Sequence, residues 1–451
     1  MKALLPHYKA TLRLGVPIAV GQLGVIIMGF ADTMMVGRYS TDALAAASFV
    51  NNLFTLVAFL MMGYSYGLTP LVSAHYGRGE KIKAGGVLKR ALAANGVYGS
   101  LLIVVMAVLY FFIGHMGQPA EILPLVRSYY LVILVSMVFV MLFNVLRQFT
   151  DGTTDTSTGM WALLSGNAFN IVGNFLLIYG IGPFPELGLL GAGISTLLSR
   201  ILTAALLAGV ILFRKRYAPY RLGFLAHKLR LEGVRYINRQ SLPISLQMGM
   251  ESGSFTFSAI MAGWLGALQL ASFQVMVTVG TLGFLLYYSF GAGMSIRVAT
   301  FVGTNDWPRV RLAAKAGCHI LIAMSIIASL AIFLFSEPLI RLFTTDEDVL
   351  VMSLSLIFPL MLYQMGDAMQ ICFANALRGT SHVMSMMWIA FVSYLMVNIP
   401  SGYLLGFPLG LGITGIFIAF SLGLFVAASL FYFYFRRVLH RNLLPSGSQS
   451  A

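Results

Sequence analysis

The feature that most constrains this chain is a series of long apolar stretches without a charged residue, such as 101–113 and 131–145. Charged residues make up only 10% of the chain, whereas they make up about 25% of a typical soluble domain. Backbone groups in hydrocarbon must be paired internally, which leaves helices or closed barrels. The apolar runs are continuous and do not alternate with period two, as barrel strands do. The sequence therefore predicts an all-α polytopic membrane protein.

Twelve segments are long enough to cross a bilayer core, which takes about 20 apolar residues. They are predicted at 14–38, 45–73, 91–114, 124–146, 160–182, 187–213, 240–264, 268–297, 316–336, 350–377, 383–406 and 410–435. An even number places both termini on one side, and 25 of the 29 Lys and Arg residues fall in the termini and loops of that side. The positive-inside rule then predicts cytoplasmic N- and C-termini. This distribution explains the net charge of +14 without a nucleic-acid partner.

The two halves of the chain resemble each other at an offset near 226 residues, at which Pro17 aligns with Pro243 and Gly37 with Gly263. Each half has six predicted spans, so both copies enter the membrane in the same orientation. We therefore expect two six-helix bundles related by a pseudo-twofold axis along the membrane normal. The predicted domains are an N-terminal lobe, a basic cytoplasmic linker and a C-terminal lobe, at 1–213, 214–239 and 240–451.

Three acids lie inside predicted spans: Asp32, Glu251 and Asp367. A charge at the bilayer centre costs about 2.5–3.5 kcal/mol on insertion scales, so such residues are functional candidates. Glu251 and Asp367 each lie eleven residues from the inner end of their helices, which places both about 16 Å above the inner face. Gln247 and Tyr363 are one helical turn from them. The pair predicts a binding site for Na⁺ or H⁺ in the second lobe.

The first lobe has a different set of polar residues. Asn170 and Asn174 are spaced i, i+4, which places them on one face of their helix. With the Asp32 carboxylate, their carbonyl oxygens would form an oxygen cage suited to a hard cation. Hydrogen bonding between helices is an equally good interpretation of the asparagines. The repeat places Ser258, not Glu251, opposite Asp32.

The sequence lacks the motifs of metal binding, nucleotide hydrolysis and other enzymatic reactions. Cys318 and Cys372 stand in apolar stretches without metal-ligand spacing, and they do not imply a disulfide framework. Neither a GxxxxGK[ST] phosphate loop nor an HExxH metal motif occurs. We therefore expect no cofactor and no enzymatic activity, and a driving force that comes from an ion gradient or from the gradient of the substrate.

Four motifs resemble the multidrug and toxic compound extrusion (MATE) family, specifically its NorM-type branch, and the resemblance covers essentially the whole chain. The first helix reads PIAVGQLGVIIMGFADTMMVGRYSTDALAAAS, with Asp32 at the position of the family aspartate. The seventh reads LPISLQMGMES, with Glu251 at the NorM-type glutamate. The tenth reads YQMGDAMQICFANALRG, with Asp367 at another family aspartate, and the fifth reads NAFNIVGNFLLIYG.

The resemblance implies two bundles arranged as a V, and a functional monomer in the bacterial inner membrane that exports cationic, amphipathic compounds in exchange for Na⁺ or H⁺. The coupling residues it implies are Asp32, Glu251, Asp367, Asn170, Asn174 and Tyr363. The expected substrate contacts are Asp32, Gln247, Glu251 and Asp367. A Na⁺ ion would bind to Glu251 and Asp367.

The strongest alternative is a lipid-linked glycan flippase of the same superfamily. Such a protein needs cationic groups in its cavity to hold pyrophosphate, and Arg200 is the lone basic candidate within a span. A major-facilitator transporter, a channel and an intramembrane enzyme fit less well. The basic 2–3 loop signature of major-facilitator transporters is absent from the sequence. The sequence also lacks the filter-like loop of a channel and the nucleophile or metal-ligand set of an enzyme.

Overall fold

The computed structural model describes residues 3–443, and Lys2 of the predicted basic N-terminus lies outside this range. The helices are α1 Leu5–Tyr39, α2 Thr41–Tyr66, α3 Leu68–Gly77, α4 Lys81–Phe112, α5 Leu123–Gly152, α6 Thr156–Tyr179, α7 Gly188–Phe213, α8 Ala218–Ala226, α9 Leu231–Leu265, α10 Ala267–Gly303, α11 Trp307–Leu334, α12 Ser336–Arg341, α13 Glu347–Ser355, α14 Ile357–Gly379, α15 Met384–Ala390, α16 Ile399–Gly406 and α17 Gly412–Leu443. Two 3₁₀ turns, Ile113–His115 and Lys215–Tyr217, and a π-helical segment, Phe391–Asn398, complete the regular structure.

Within residues 3–443, ten helices are long and apolar enough to cross a membrane, and the bent pair α13–α14 makes up to eleven. This confirms the all-α polytopic class. The count of twelve stays a prediction, because α9, which contains the expected span 240–264, is not among these helices. Polar side chains lower the hydropathy of α9, and they include Gln247 and Glu251.

Several helices begin earlier than the apolar pattern predicts. The segments predicted to start at residues 91, 240 and 316 start at Lys81, Leu231 and Trp307. The added turns are rich in Lys and Arg. Hydropathy detects only the part of a helix inside hydrocarbon, and it misses turns that continue into the headgroup region, where charged side chains are solvated.

Two predicted helices are interrupted. The segment 45–73 is divided at Gly67 into α2 and α3. The segment 350–377 is divided at Leu356 into α13 and α14, which meet at a bend of 53°. Pro70 and Pro359 lie in the first turn of α3 and α14. A proline is tolerated there, because the backbone N–H groups of the first turn have no hydrogen-bond acceptor within the helix.

The chain forms two compact units, and both contain parts of the predicted first lobe. One unit is Val20–Ser245, and the other combines Met1–Ala19 with Leu246–Ala451. The segment 214–239 is folded into the first of these units as a 3₁₀ turn, α8 and the start of α9. The boundaries at 213 and 240 remain a prediction of the sequence, and the contacts within the structure divide the chain after Ser245.

Glycines bring α8 into backbone contact with α4. A Cβ atom at Gly85 would lie 2.8 Å from the carbonyl carbon of Tyr220, and one at Gly223 would lie 2.7 Å from that of Ile82. Any larger residue at either position would therefore push the two helices apart. This close packing holds the basic segment after α7 against the start of α4.

Asp155 anchors the same segment to the start of α6. Its carboxylate caps α6 by accepting from the backbone N–H of Thr158 at 3.3 Å and from the Thr158 hydroxyl at 2.9 Å. It also accepts from the hydroxyl of Tyr217 at 2.8 Å and forms an ion pair with Arg216 at 3.5 Å. Tyr217 is fully buried, so its hydroxyl needs a hydrogen-bond partner, and the Asp155 carboxylate is a charged one.

Asp155→Ala is expected to lower the free energy of unfolding by about 3 kcal/mol, because it removes a helix cap worth about 1 kcal/mol and a charged hydrogen-bond acceptor of a buried hydroxyl. Asp306 is a matched control, since it caps α11 through the backbone N–H of Arg309 at 3.1 Å but is more exposed. Asp306→Ala should cost only about 1 kcal/mol. Unfolding in detergent would measure both, and equal losses would contradict the role given to Asp155.

The unit that contains residues 246–451 has a covalent link that the sequence did not imply. Cys318 and Cys372 form a disulfide between α11 and α14, with Cα atoms 5.5 Å apart. α14 also packs against α10, where the Gln364 amide donates to the carbonyl oxygen of Gly280 at 3.0 Å. These two contacts position α14, the helix that contains Asp367.

Candidate functional site

The structure brings Glu251 and Asp367 together, as their predicted depth suggests. Glu251 lies on α9 and Asp367 on α14, and the two carboxyl groups are within electrostatic reach of each other. Asp367 is buried, with 2% of its surface exposed, and Glu251 is half-buried. Two acids within electrostatic reach of each other inside a helical membrane protein make an electronegative site.

Three tyrosines surround the acid pair, and the sequence identified only one of them. Tyr363, one turn before Asp367, is within electrostatic reach of both acids, as predicted. Tyr394 is within reach of the same two acids, and Tyr287 on α10 is within reach of Asp367. Neither spacing nor composition marks Tyr394 or Tyr287 among the 20 tyrosines of the chain.

The backbone around Tyr394 has an unusual helical geometry. It lies in the π-helical segment Phe391–Asn398, and π-helical turns are frequent at functional sites. Pro400 lies two residues after the end of that segment, in the first turn of α16, and it cannot donate a hydrogen bond to the preceding turn. That proline is the one signal in the sequence that this helix is irregular.

Several buried oxygen atoms at this site have no hydrogen-bond partner within the described residues: Asp367 Oδ2, Gln247 Oε1 and the Tyr287 hydroxyl. The amide nitrogen of Gln247 donates to Glu251 at 3.3 Å. Buried polar atoms are normally paired, so such a group needs an explanation. Carboxylate, amide and hydroxyl oxygens are suitable ligands for a hard cation.

An aromatic cluster continues the site on one side. The rings of Phe255 and Phe420 have centroids 4.1 Å apart, and Tyr363 packs against them at 6.1 Å and 5.6 Å. Tyr363 therefore contacts the aromatic cluster and lies in the electrostatic field of the acid pair. An organic cation with an apolar body could contact both the aromatic rings and the acid pair, since ring faces attract positive charge.

The Val20–Ser245 unit brings together the three polar residues predicted for it. The Asn174 side-chain amide donates to the Asp32 carboxylate at 2.5 Å and to the side-chain Oδ1 of Asn170 at 3.5 Å. The Asn170 amide donates in turn to the Thr196 hydroxyl at 3.2 Å. The prediction assigned Asn174 to the site through its carbonyl oxygen, whereas here it contacts Asp32 through its N–H, and its oxygen has no partner among residues 3–443.

Arg200 belongs to this site, although the sequence gave it no role beside Asp32. It lies on α7, one turn after Thr196, and donates to the Ser136 hydroxyl at 2.5 Å. It is also within electrostatic reach of Asp32 and Tyr129. The spacing of Arg200 and Thr196 could have predicted a shared helix face, but only the fold shows that this face meets Asp32.

The two sites differ in formal charge. Asp32 with Arg200 is neutral when the acid is ionised. When both are ionised, Glu251 and Asp367 carry two negative charges, and Arg378, which is within electrostatic reach of Glu251, offsets one of them. The second site is therefore more negative by one charge. The repeat predicts Ser258 opposite Asp32, and Ser258 is a buried residue on α9.

Comparison with known families finds the MatE family model twice in the chain, at residues 17–176 and 243–404. Together the two matches cover more than half of the sequence. They begin 226 residues apart, which is the offset at which the two halves align. The family unit is thus present in two copies.

Similar proteins are named for drug resistance. The multidrug resistance protein NorM of Photobacterium profundum is 29% identical over 400 residues, covering 88% of this chain and 87% of the relative. NorM of Vibrio cholerae is 28% identical, covering 92% of each chain. A solved outward-facing structure of a multidrug resistance MATE family transporter of the MOP superfamily superposes with a TM-score of 0.89 at 22% identity, over 97% of both chains.

Proposed function

On the premise that this chain belongs to the MatE family, we propose that it exchanges inward-moving Na⁺ or H⁺ for cationic, amphipathic compounds. Its relatives and its fold identify it as a multi-pass membrane protein for multidrug extrusion, and not as an enzyme.

The acid pair Glu251 and Asp367 is the observation that supports coupling to a cation. Two carboxylates within electrostatic reach of each other, one buried and one half-buried, are unlike free surface acids, because like charges and desolvation each favour neutralisation. One proton or one Na⁺ ion supplies the missing positive charge. For Na⁺, the carboxylates, the Gln247 oxygen and the Tyr287 hydroxyl provide the hard oxygen ligands that the ion prefers.

The same site suits an organic cation. Phe255, Tyr363 and Phe420 offer ring faces beside the carboxylates, so a flat, positively charged compound would gain both charge pairing and apolar contact. We place the substrate contacts of this site at Gln247, Glu251 and Asp367, and a separate contact at Asp32 in the Val20–Ser245 unit. An ion and a substrate that share carboxylates compete, and each then lowers the affinity of the other by the same factor.

The charge difference between the two sites favours Glu251 and Asp367 as the coupling site. At Asp32, an incoming cation must compete with the positive charge of Arg200, which the protein supplies itself. Asp32, Asn170 and Asn174 therefore act as a secondary site in this proposal.

Some expectations from the sequence enter the proposal unchanged: cytoplasmic termini, a bacterial inner membrane and a functional monomer. The alternative of a lipid-linked glycan flippase is weakened by Arg200. That residue is the basic group which could bind pyrophosphate, and its charge is already offset by Asp32.

The affinity of purified protein for a fluorescent organic cation such as ethidium tests the competition. We expect Na⁺, or acid over the range from about pH 8 to about pH 5.5, to weaken ethidium binding by at least about tenfold, the factor that corresponds to about 1.4 kcal/mol of coupling. An affinity that responds to neither ion would contradict cation coupling at a shared site.

A further inference from the structure

A basic cavity lies where the segment after α8 meets α4 and the start of α9. It has a volume of about 530 Å³, and its lining includes Arg90, His227, Lys228, Arg230 and Glu232. Three of these residues are positively charged and one is negatively charged. None belongs to the site at Asp32 or to the site at Glu251 and Asp367.

The walls of this cavity are fixed by close packing. A Cβ atom at Gly86 would lie 2.7 Å from the His227 ring, so the ring sits directly on the backbone of α4. Lys89 donates to the carbonyl oxygen of His227 at 2.8 Å and lies over the Phe224 ring at 5.6 Å. The chain that forms the rim after α8 is therefore held in place, and the cavity is a defined site.

The cavity carries a net positive charge. Within residues 3–443, Arg90, Lys228 and Arg230 form no salt bridge, whereas other surface arginines such as Arg78 and Arg341 do. A Cβ atom at Gly233 would lie 2.6 Å from Cδ of Arg90, so the absence of a side chain there makes room for the arginine. A site with spare guanidinium and ammonium groups attracts an anion.

Exposed leucines are close in sequence to the basic groups of the cavity. Leu222 and Leu225 are spaced i, i+3 on α8 and are 62% and 74% exposed, and Leu229 and Leu231 are 52% and 79% exposed. In a membrane protein, a short helix with apolar residues on one face and basic residues nearby lies in the interfacial layer. The adjacent ligand therefore has an anionic part and an apolar part.

We propose that this cavity binds the phosphate headgroup of an anionic phospholipid, whose acyl chains contact the exposed leucines. Arg90, Lys228 and Arg230 bind the phosphate, and Leu222 and Leu225 contact the chains. Basic pockets beside transmembrane helices are suited to anionic headgroups, because each Lys or Arg near the surface adds to the attraction. The site is independent of the coupling ion and of the exported substrate.

The test is lipid retention by the purified protein, measured by native mass spectrometry with phosphatidylglycerol and phosphatidylcholine as probes. We expect phosphatidylglycerol to bind at least about tenfold more tightly than phosphatidylcholine, and the triple variant R90Q/K228Q/R230Q to lose this preference. The double variant K228Q/R230Q changes only exposed side chains and should lose part of the preference for phosphatidylglycerol. It replaces the triple variant in this test if the triple variant does not fold.

The variant R436Q/R437Q/R441Q is the matched control, because it removes three charges from another exposed basic surface, near the end of α17. It should keep the preference, and an equal loss in this control would overturn a defined site. A second arm uses inorganic phosphate and the variant L222Q/L225Q. This variant should weaken phosphatidylglycerol binding without changing phosphate binding. Equal affinities for inorganic phosphate and phosphatidylglycerol, with no effect of L222Q/L225Q, would overturn the lipid assignment.

Discussion

Asp367→Asn is expected to reduce ion-driven efflux to the rate of vesicles without protein, while the protein stays folded. Asp367 is buried beside Glu251, and its Oδ2 atom has no hydrogen-bond partner in the described part of the chain. An amide of the same shape fits this space but cannot become negative, so the site can no longer bind a cation and release it again. Efflux of a fluorescent cation from loaded vesicles measures the effect.

Asp348→Asn is the control for this variant. Asp348 is an exposed acid in the first turn of α13, in the same unit, so the change alters the same chemical group away from the acid pair. Its efflux should equal that of the unchanged protein. Normal efflux in Asp367→Asn would remove Asp367 from the coupling mechanism, whatever the control does.

Arg200→Gln is expected to turn Asp32 into a reactive, proton-binding carboxyl group. Without the guanidinium charge, a carboxylate in this half-buried position has lost its counter-charge, and it takes up a proton or a cation instead. Carbodiimides react with protonated carboxyl groups in apolar surroundings. Labelling of Asp32 at neutral pH, measured by mass spectrometry of the peptide, should rise at least about tenfold.

Arg200→Lys keeps the positive charge and should leave the labelling of Asp32 low. Asp32→Asn in the Arg200→Gln background identifies the labelled residue, since the signal from that peptide must disappear. Equal labelling in the Gln and Lys variants would show that Arg200 does not act on Asp32 through its charge.

The fold was largely predictable, because the apolar stretches that lipid demands are long and uninterrupted. The polytopic helical class, the position of most helices and the repeat at an offset of 226 residues followed from the sequence. The starts of α4, α9 and α11 did not, since hydropathy does not detect a helix that continues into water. The interruptions at Gly67 and Leu356 were also missed, although Pro70 and Pro359 stand close to them.

Some residues of the candidate sites could likewise be predicted from the sequence, and others could not. Asp32, Glu251 and Asp367 were identified because an acid within a hydrophobic helix is expensive and therefore rare. Arg200 and Tyr394 were not given a role, because each meets its acid from another helix, and one sequence contains no information on which faces pack together. The π-helical turn at Tyr394 adds to this, since it changes the direction of the side chains after it.

We propose that an inward cation gradient drives export through Glu251 and Asp367. The most direct test is dye efflux in proteoliposomes to which Na⁺ and H⁺ gradients are applied separately. We predict accumulation of ethidium against its own gradient with at least one of the two ions, and none in the double variant E251Q/D367N. Efflux that proceeds equally without either gradient, or that survives in the double variant, would contradict the claim.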